Sequence, residues 1–285
     1  MARLAPEDRF AGLAPDDLLA SGPFTSFDTD DRQDVAPETL KERALAAEDA
    51  ALSVIGVTNS QGGSASVGRG VGAIATSAGF AGATTGTSHS VSASVLAGEG
   101  DAMQRDYAYH SVRHLSDLDD AASIGRDAGT RAVRRMNPIR LKSGPTTIIF
   151  DPRVGPSLLG ALIGAISGGG IARKTSFLLD ALGTQIFDGA VTIVDDPWLL
   201  RGFRSKAYDG EGIATKPTTI IDKGVLTGWI AESASARQIG ITPTGHAARG
   251  ISGAPGASAS NLRMEPGSVS PQALMADIAD GFYVT

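Results

Sequence analysis

Five apolar residues at helical spacing, Leu158, Leu159, Leu162, Ile163 and Ile166, run into three consecutive glycines, Gly168, Gly169 and Gly170, and no other feature restricts the fold so tightly. The recurrence predicts a buried helix over 153–167, introduced by Asp151, Pro152 and Pro156, which suit a helix start. It is too short to span a bilayer. Glycine reaches the left-handed backbone region that closes helices, so the three in a row are expected to end it. The stretch also has the outline of a phosphate-binding loop, Gly168 followed by Lys174 and Thr175. However, Arg173 stands where a glycine must precede the lysine, and such a loop follows a strand. A plain helix end is the better reading.

Upstream, the periodicity changes. Segments 54–57, 64–76, 88–97 and 106–112 alternate apolar residues with serine and threonine, separated by glycine-rich turns, which predicts an antiparallel meander. One helix precedes it, opening at Pro37 with Leu40, Ala44, Ala47 and Ala51 on one face. A second follows through Ala121, Ala128, Ala132 and Met136, with Arg131, Arg134 and Arg135 in its last turns, where they oppose the helix dipole. Gly70, Gly72 and Ala75 with Glu99 imitate a dinucleotide fingerprint, yet the turn at Gly79 cuts off the helix that such a site needs.

Histidines and carboxylates are the candidates for chemistry. His110 and His114 stand four apart, a spacing at which two imidazoles on one helical turn can share zinc. Ser111 occupies the place of the expected glutamate, and the segment reads as a strand, so a polar sheet face is expected instead. His89 and His246 are read as standing alone. Asp28, Asp30, Asp31 and Asp34 lack the spacing and closing glutamate of a calcium loop, and read as a solvated loop. Asp195 and Asp196 could serve acid–base or magnesium chemistry if Asp209, Glu211 or Asp222 converged on them. Around Ser252 the glycines miss the spacing of a nucleophile elbow, which leaves a flexible loop.

These elements give an α+β class. A linker at 141–145 divides the chain into 1–142, an N-terminal domain of helices and meander, and 143–285, a β-rich domain opening with the glycine-ended helix. In the latter, Lys223 and Gly224 separate segments 218–222 and 225–232 as a hairpin turn would. A formal net charge of −6 argues against a nucleic-acid surface. With no cysteine there is neither a disulfide framework nor a thiolate metal site. No apolar run reaches spanning length and the first residues do not form a signal peptide, so no membrane association and a cytoplasmic address are expected.

Segment 173–187, RKTSFLLDALGTQIF, resembles the TldD/PmbA family, the modulators of DNA gyrase, and in particular its PmbA (TldE) branch. Similar family segments are Met103 to Tyr107, the Tyr208-Asp209-Gly210-Glu211-Gly212 motif, 223–229, 244–247 and 261–267, so that the resemblance runs from about Ser53 to the end. In the TldD branch the helix before the glycines carries HExxxH, two zinc-binding histidines and a glutamate base. The corresponding places here fall near Gly160, Ala161 and Ala165. The resemblance therefore implies a metallopeptidase scaffold whose zinc is expected in a TldD-type partner, with no catalytic residue or cofactor in this chain. It implies a hetero-oligomer that holds extended peptide, with Arg105, Tyr107, His110, Ser252 and Asn261 as contact residues. The alternative is a stand-alone peptide- or protein-binding modulator. Family members are longer at both ends, so the chain reads as a fragment.

Overall fold

The computed structural model describes residues 6–140, 142–251 and 253–285. The chain divides into two compact units. Residues 28–72 and 84–143 form a meander unit, whereas residues up to Phe27, with 73–83 and 144–285, form a second unit.

In the meander unit, helix α1 (Pro37–Leu52) and helix α2 (Ala121–Arg134) pack on one face of an antiparallel sheet. The sheet order is β1 (Val57–Ala75), β2 (Ala81–Ala97), β3 (Gln104–Val112). The two strands of the predicted meander at 54–57 and 64–76 merge into β1, whose far end, like the start of β2, belongs to the second unit. Proline fixes the first turn of α1, and the Asp120 carboxylate caps α2 by accepting the Ser123 N–H. Strict alternation in β2 sends Val91, Ala93, Val95 and Ala97 into the helix layer, where they meet Ala47, Ala51, Ala128 and Ala132. The layer is thin because the helices nearly touch. A Cβ placed on Gly125 would lie 2.0 Å from the Ala47 carbonyl oxygen.

The second unit holds β4 (Thr147–Phe150), α3 (Gly155–Ala165), α4 (Gly168–Ala172), β5 (Ile193–Asp195), β6 (Thr218–Asp222), β7 (Val225–Leu226) and α5 (Ser233–Ile239). After these come β8 (Ala247–Ala248), β9 (Gly256–Ala257), β10 (Leu262–Met264), α6 (Pro271–Ala276) and β11 (Gly281–Val284). A four-stranded sheet of order β10-β5-β6-β7 supplies Ile193, Ile220, Ile221 and Leu226 to a core closed by Leu162 of α3 and by Ile166 just beyond its end. β11 runs parallel to β4, and β8 pairs with β9. The β6–β7 turn has the positive backbone angles at Lys223 (φ 47°) and Gly224 (φ 85°) that a tight hairpin requires.

The helix end departs from expectation. The glycines do not close α3; they open α4. The chain leaves α3 because Ser167 turns extended and pairs with Ile230, the Gly168 N–H donating to the Ile230 carbonyl at 2.7 Å. Gly168 is needed for its size, since a Cβ there would lie 2.4 Å from Ser235 Oγ on α5. The expected strand 225–232 is also shorter, giving way after Leu226 to a segment capped into α5 by Glu232.

Candidate functional site

Alternation that buries one face of the meander presents the other. In the β2–β3 register Leu96 lies opposite Arg105, Ser94 opposite Tyr107, Ser92 opposite Tyr109 and Ser90 opposite Ser111. None of these serines can shield a neighbouring ring, so Tyr107 and Tyr109 stand 42% and 59% exposed. Their rings stack at 6.2 Å between centroids, 17° from parallel. The result is a shallow groove of about 440 Å³ lined by Gly62, Ser92, Ser94, Arg105, Tyr107 and Tyr109. Ser94 Oγ donates to Gln61 Oε1 at 3.0 Å, and the Arg105 guanidinium reaches the same oxygen at 3.5 Å. Among the described residues no carboxylate pairs with Arg105.

Two of the five expected contact residues, Arg105 and Tyr107, thus share this face. His110 is one register position out of phase with them, and its Nδ1 accepts the Asp119 N–H at 3.1 Å beside the Asp119 carboxylate. Asn261 lies in the second unit as a loop tie, its Oδ1 accepting the Arg204 N–H and its Nδ2 donating to the Asp196 carbonyl and to Ser205 Oγ. Ser252 lies outside the described residues. Tyr109 and the serine row were missed by sequence reading, although alternation from Ser88 onward carried the signal.

The two histidines four apart have different partners: His114 Nε2 lies 2.8 Å from the Asp28 carbonyl and 3.2 Å from its carboxylate. His89 and His246, expected to be alone, each face a carboxylate. His89 Nε2 is 3.1 Å from Asp31, and His246 Nε2 is 3.2 Å from Asp195. Within the aspartate loop Asp28 and Asp34 are exposed as expected, whereas Asp30 and Asp31 are drawn into contacts. Asp30 accepts two hydrogen bonds from Arg69, and the Asp31 carboxylate accepts the Leu115 N–H at 2.7 Å, which holds its pKa below the usual range against the opposing effect of burial.

In the second unit Thr244 Oγ1, His246 and Asp195 form a hydroxyl–imidazole–carboxylate chain, with 2.9 Å between Thr244 Oγ1 and His246 Nδ1. Such a chain could activate a nucleophile. Here it does structural work, because Thr244 Oγ1 also bonds both backbone groups of Ala231 and His246 is only 3% exposed. The Asp195 carboxylate is further held by the Ser260 N–H. Asp209 accepts the N–H groups of Glu211, Ile213 and Ala247, and Glu211 accepts both the N–H and the hydroxyl of Ser233. These carboxylates are fully engaged in holding loops, which leaves no free acid–base pair among them. Burial lowers the pKa of Lys206, with Asp209 and Asp195 opposing that shift.

A metallopeptidase zinc would find no donor on α3, where Gly160, Ala161 and Ala165 carry none, and no histidine in the chain is followed by glutamate. Among the described residues, no group of three or more His, Cys, Asp or Glu side chains could hold a metal ion. The residues present do not fit the ion. No helix among them is long and apolar enough to cross a membrane.

Comparison with known proteins agrees with this scaffold. Residues 143–285 match the PmbA/TldA metallopeptidase C-terminal domain and residues 30–136 the PmbA/TldA metallopeptidase central domain. Metalloprotease PmbA of Escherichia coli O157:H7 is 40% identical over 250 residues, 87% of this chain and 55% of the relative. A Metalloprotease PmbA homolog of Haemophilus influenzae is 33% identical over 253 residues, with the same coverage of each. The chain therefore spans about half the length of these curated relatives. A Bacteroides thetaiotaomicron crystal structure described as a modulator of DNA gyrase superposes with a TM-score of 0.90 at 30% identity, over 99% of this chain and 63% of that one. TldE from Thermococcus kodakarensis shares the fold, with a TM-score of 0.83 at 22% identity over 99% of this chain and 64% of that one. The chain belongs to the PmbA/TldD metallopeptidase family.

Proposed function

We propose that this chain is the non-catalytic, peptide-holding subunit of a two-component TldD/TldE-type metallopeptidase that matures or degrades peptides. The observation that supports the reading is helix α3, which carries no metal-binding side chain near the places where the family resemblance puts the zinc motif, in a family named for metallopeptidase activity. A TldD-type partner supplies the metal and its activated water. This chain supplies the open meander face, where an extended peptide lies against Arg105, Tyr107 and Tyr109. Tyrosine suits that role, since a rigid ring offers contact area at little conformational cost.

Elemental analysis tests it. Full-length protein purified alone should contain no stoichiometric zinc, and the co-purified complex with a TldD-type partner should contain it together with peptidase activity. Stoichiometric zinc in the lone chain would overturn the reading. A second reading, a stand-alone peptide- or protein-binding modulator, draws on the description of the Bacteroides structure. Peptide affinity that is unchanged by the partner, without any peptidase activity in the mixture, would favour it.

A further inference from the structure

We infer that the meander face selects an extended peptide by pattern: an acidic side chain at one position and ring-bearing side chains at the second and fourth positions beyond it. The inference rests on the peptide-holding reading and adds a substrate class to it. Arg105, Tyr107 and Tyr109 occupy alternate positions of one strand and therefore one face, at intervals of about 7 Å set by the strand rise. An extended peptide laid along that strand presents its own alternate side chains at the same interval. The two rows can stay in register over the length of the groove.

The chemistry at each position is distinct. Arg105 contributes a cation with no carboxylate paired to it among the described residues, and its neighbour Gln61 offers only a neutral oxygen at 3.5 Å. A planar guanidinium in that state is completed by a carboxylate, which accepts two parallel N–H bonds. Tyr107 and Tyr109 offer exposed ring surface in a protein whose large side chains are otherwise scarce on this face, because Ser90, Ser92 and Ser94 fill the opposing strand. Phenyl, phenol or prolyl rings complete such surfaces. Arg105 is the one cation among the described residues that line the groove, so that a nucleic-acid strand, which needs several cations in a row, is disfavoured.

Fluorescence anisotropy with three labelled heptapeptides on the full chain tests this. The first carries Glu, Tyr and Tyr at alternate positions among alanine and glycine; the second replaces Glu by Lys; the third moves Glu one place so that it faces away. The first should bind about ten-fold more tightly than either of the others. Arg105→Glu should reverse the order of the first two, and Tyr109→Ala should weaken all three. If the peptides bind equally and Tyr109→Ala weakens each, the face holds peptide without selecting the acid: this inference fails while the peptide-holding role stands. If neither substitution changes the binding of any peptide, both fail. Displacement of the first peptide by oligouridylate at low concentration would also overturn the inference in favour of a nucleic-acid surface.

Discussion

Between α1, α2 and the meander sheet the buried side chains are almost all alanine and valine, whereas the second unit buries isoleucine and leucine beside Asp195, Asp209, Glu211 and His246. A layer of small residues gains its contacts by bringing backbones together, and its glycines are the points of nearest approach. A core of large residues leaves loops to be anchored, and in this molecule buried carboxylates anchor them by accepting main-chain N–H groups. The first kind of packing should fail when atoms are added. The second should fail when acceptors are removed.

Removing an acceptor should give the largest effect. In Asp209→Ala the N–H groups of Glu211, Ile213 and Ala247 lose their partner inside a region where Asp209 is 2% exposed. We expect a loss of about 4 kcal/mol, a few kcal/mol for donors left unpaired in the interior. Hydrogen exchange checks it directly, since those three amides should lose protection before the amides of α2 do; unchanged protection would show that the loop is held by something else.

Adding a methyl group should give a smaller effect whose sign depends on the helix. Glycine to alanine raises helix propensity by about 1 kcal/mol wherever space permits. On α3 it does permit, because nothing lies within 4 Å of a Cβ built on Gly160. Gly160→Ala should therefore stabilise the protein slightly. On α2 the same change at Gly125 meets the Ala47 carbonyl, and the helices must separate, at a cost of about 2 kcal/mol. Urea unfolding followed by circular dichroism should show midpoints moving in opposite directions; movement in the same direction would remove the distinction between the two kinds of packing.

Much of this was legible in the sequence, for reasons of range. The meander, its two helices and the Lys223-Gly224 turn follow from local alternation, periodicity and backbone freedom, and each lies within a window of a few residues. Arg105 and Tyr107 were named from the family resemblance alone; the structure sets them on one face with Tyr109, a grouping that alternation along β3 explains. What failed were features with two possible causes or with a distant partner. A glycine run says that a side chain is unwelcome, but not whether the backbone angle or a neighbouring helix forbids it; at Gly168 it is Ser235 and Ala231. His246 looked solitary because Asp195 reaches it only through folding, and His110 looked like a face residue until register placed it on the other side.

The smallest effect concerns the aspartate loop of the meander unit, where the same logic of anchored carboxylates operates near the surface. Asp30 is held to about 2 from its ordinary 3.8, first by its hydrogen bonds to the Arg69 guanidinium and further by the Thr87 hydroxyl, with burial opposing. A carboxylate whose native pKa is depressed adds stability that is complete above the ordinary value and disappears as pH falls through the native one. The contribution should thus be constant above about pH 5 and vanish between about pH 4 and pH 2. Arg69 is half exposed, so the effect is modest, about 1–2 °C in melting temperature at neutral pH. The measurement is the difference between the unmodified protein and Arg69→Ala, in which other titrating groups largely cancel. A gap that closes on acidification would place a surface-anchored carboxylate on the same scale as the buried Asp209. A gap that stays constant to pH 2.5 would mean that Arg69 acts by packing alone, and the comparison would then hold only for the buried acceptors.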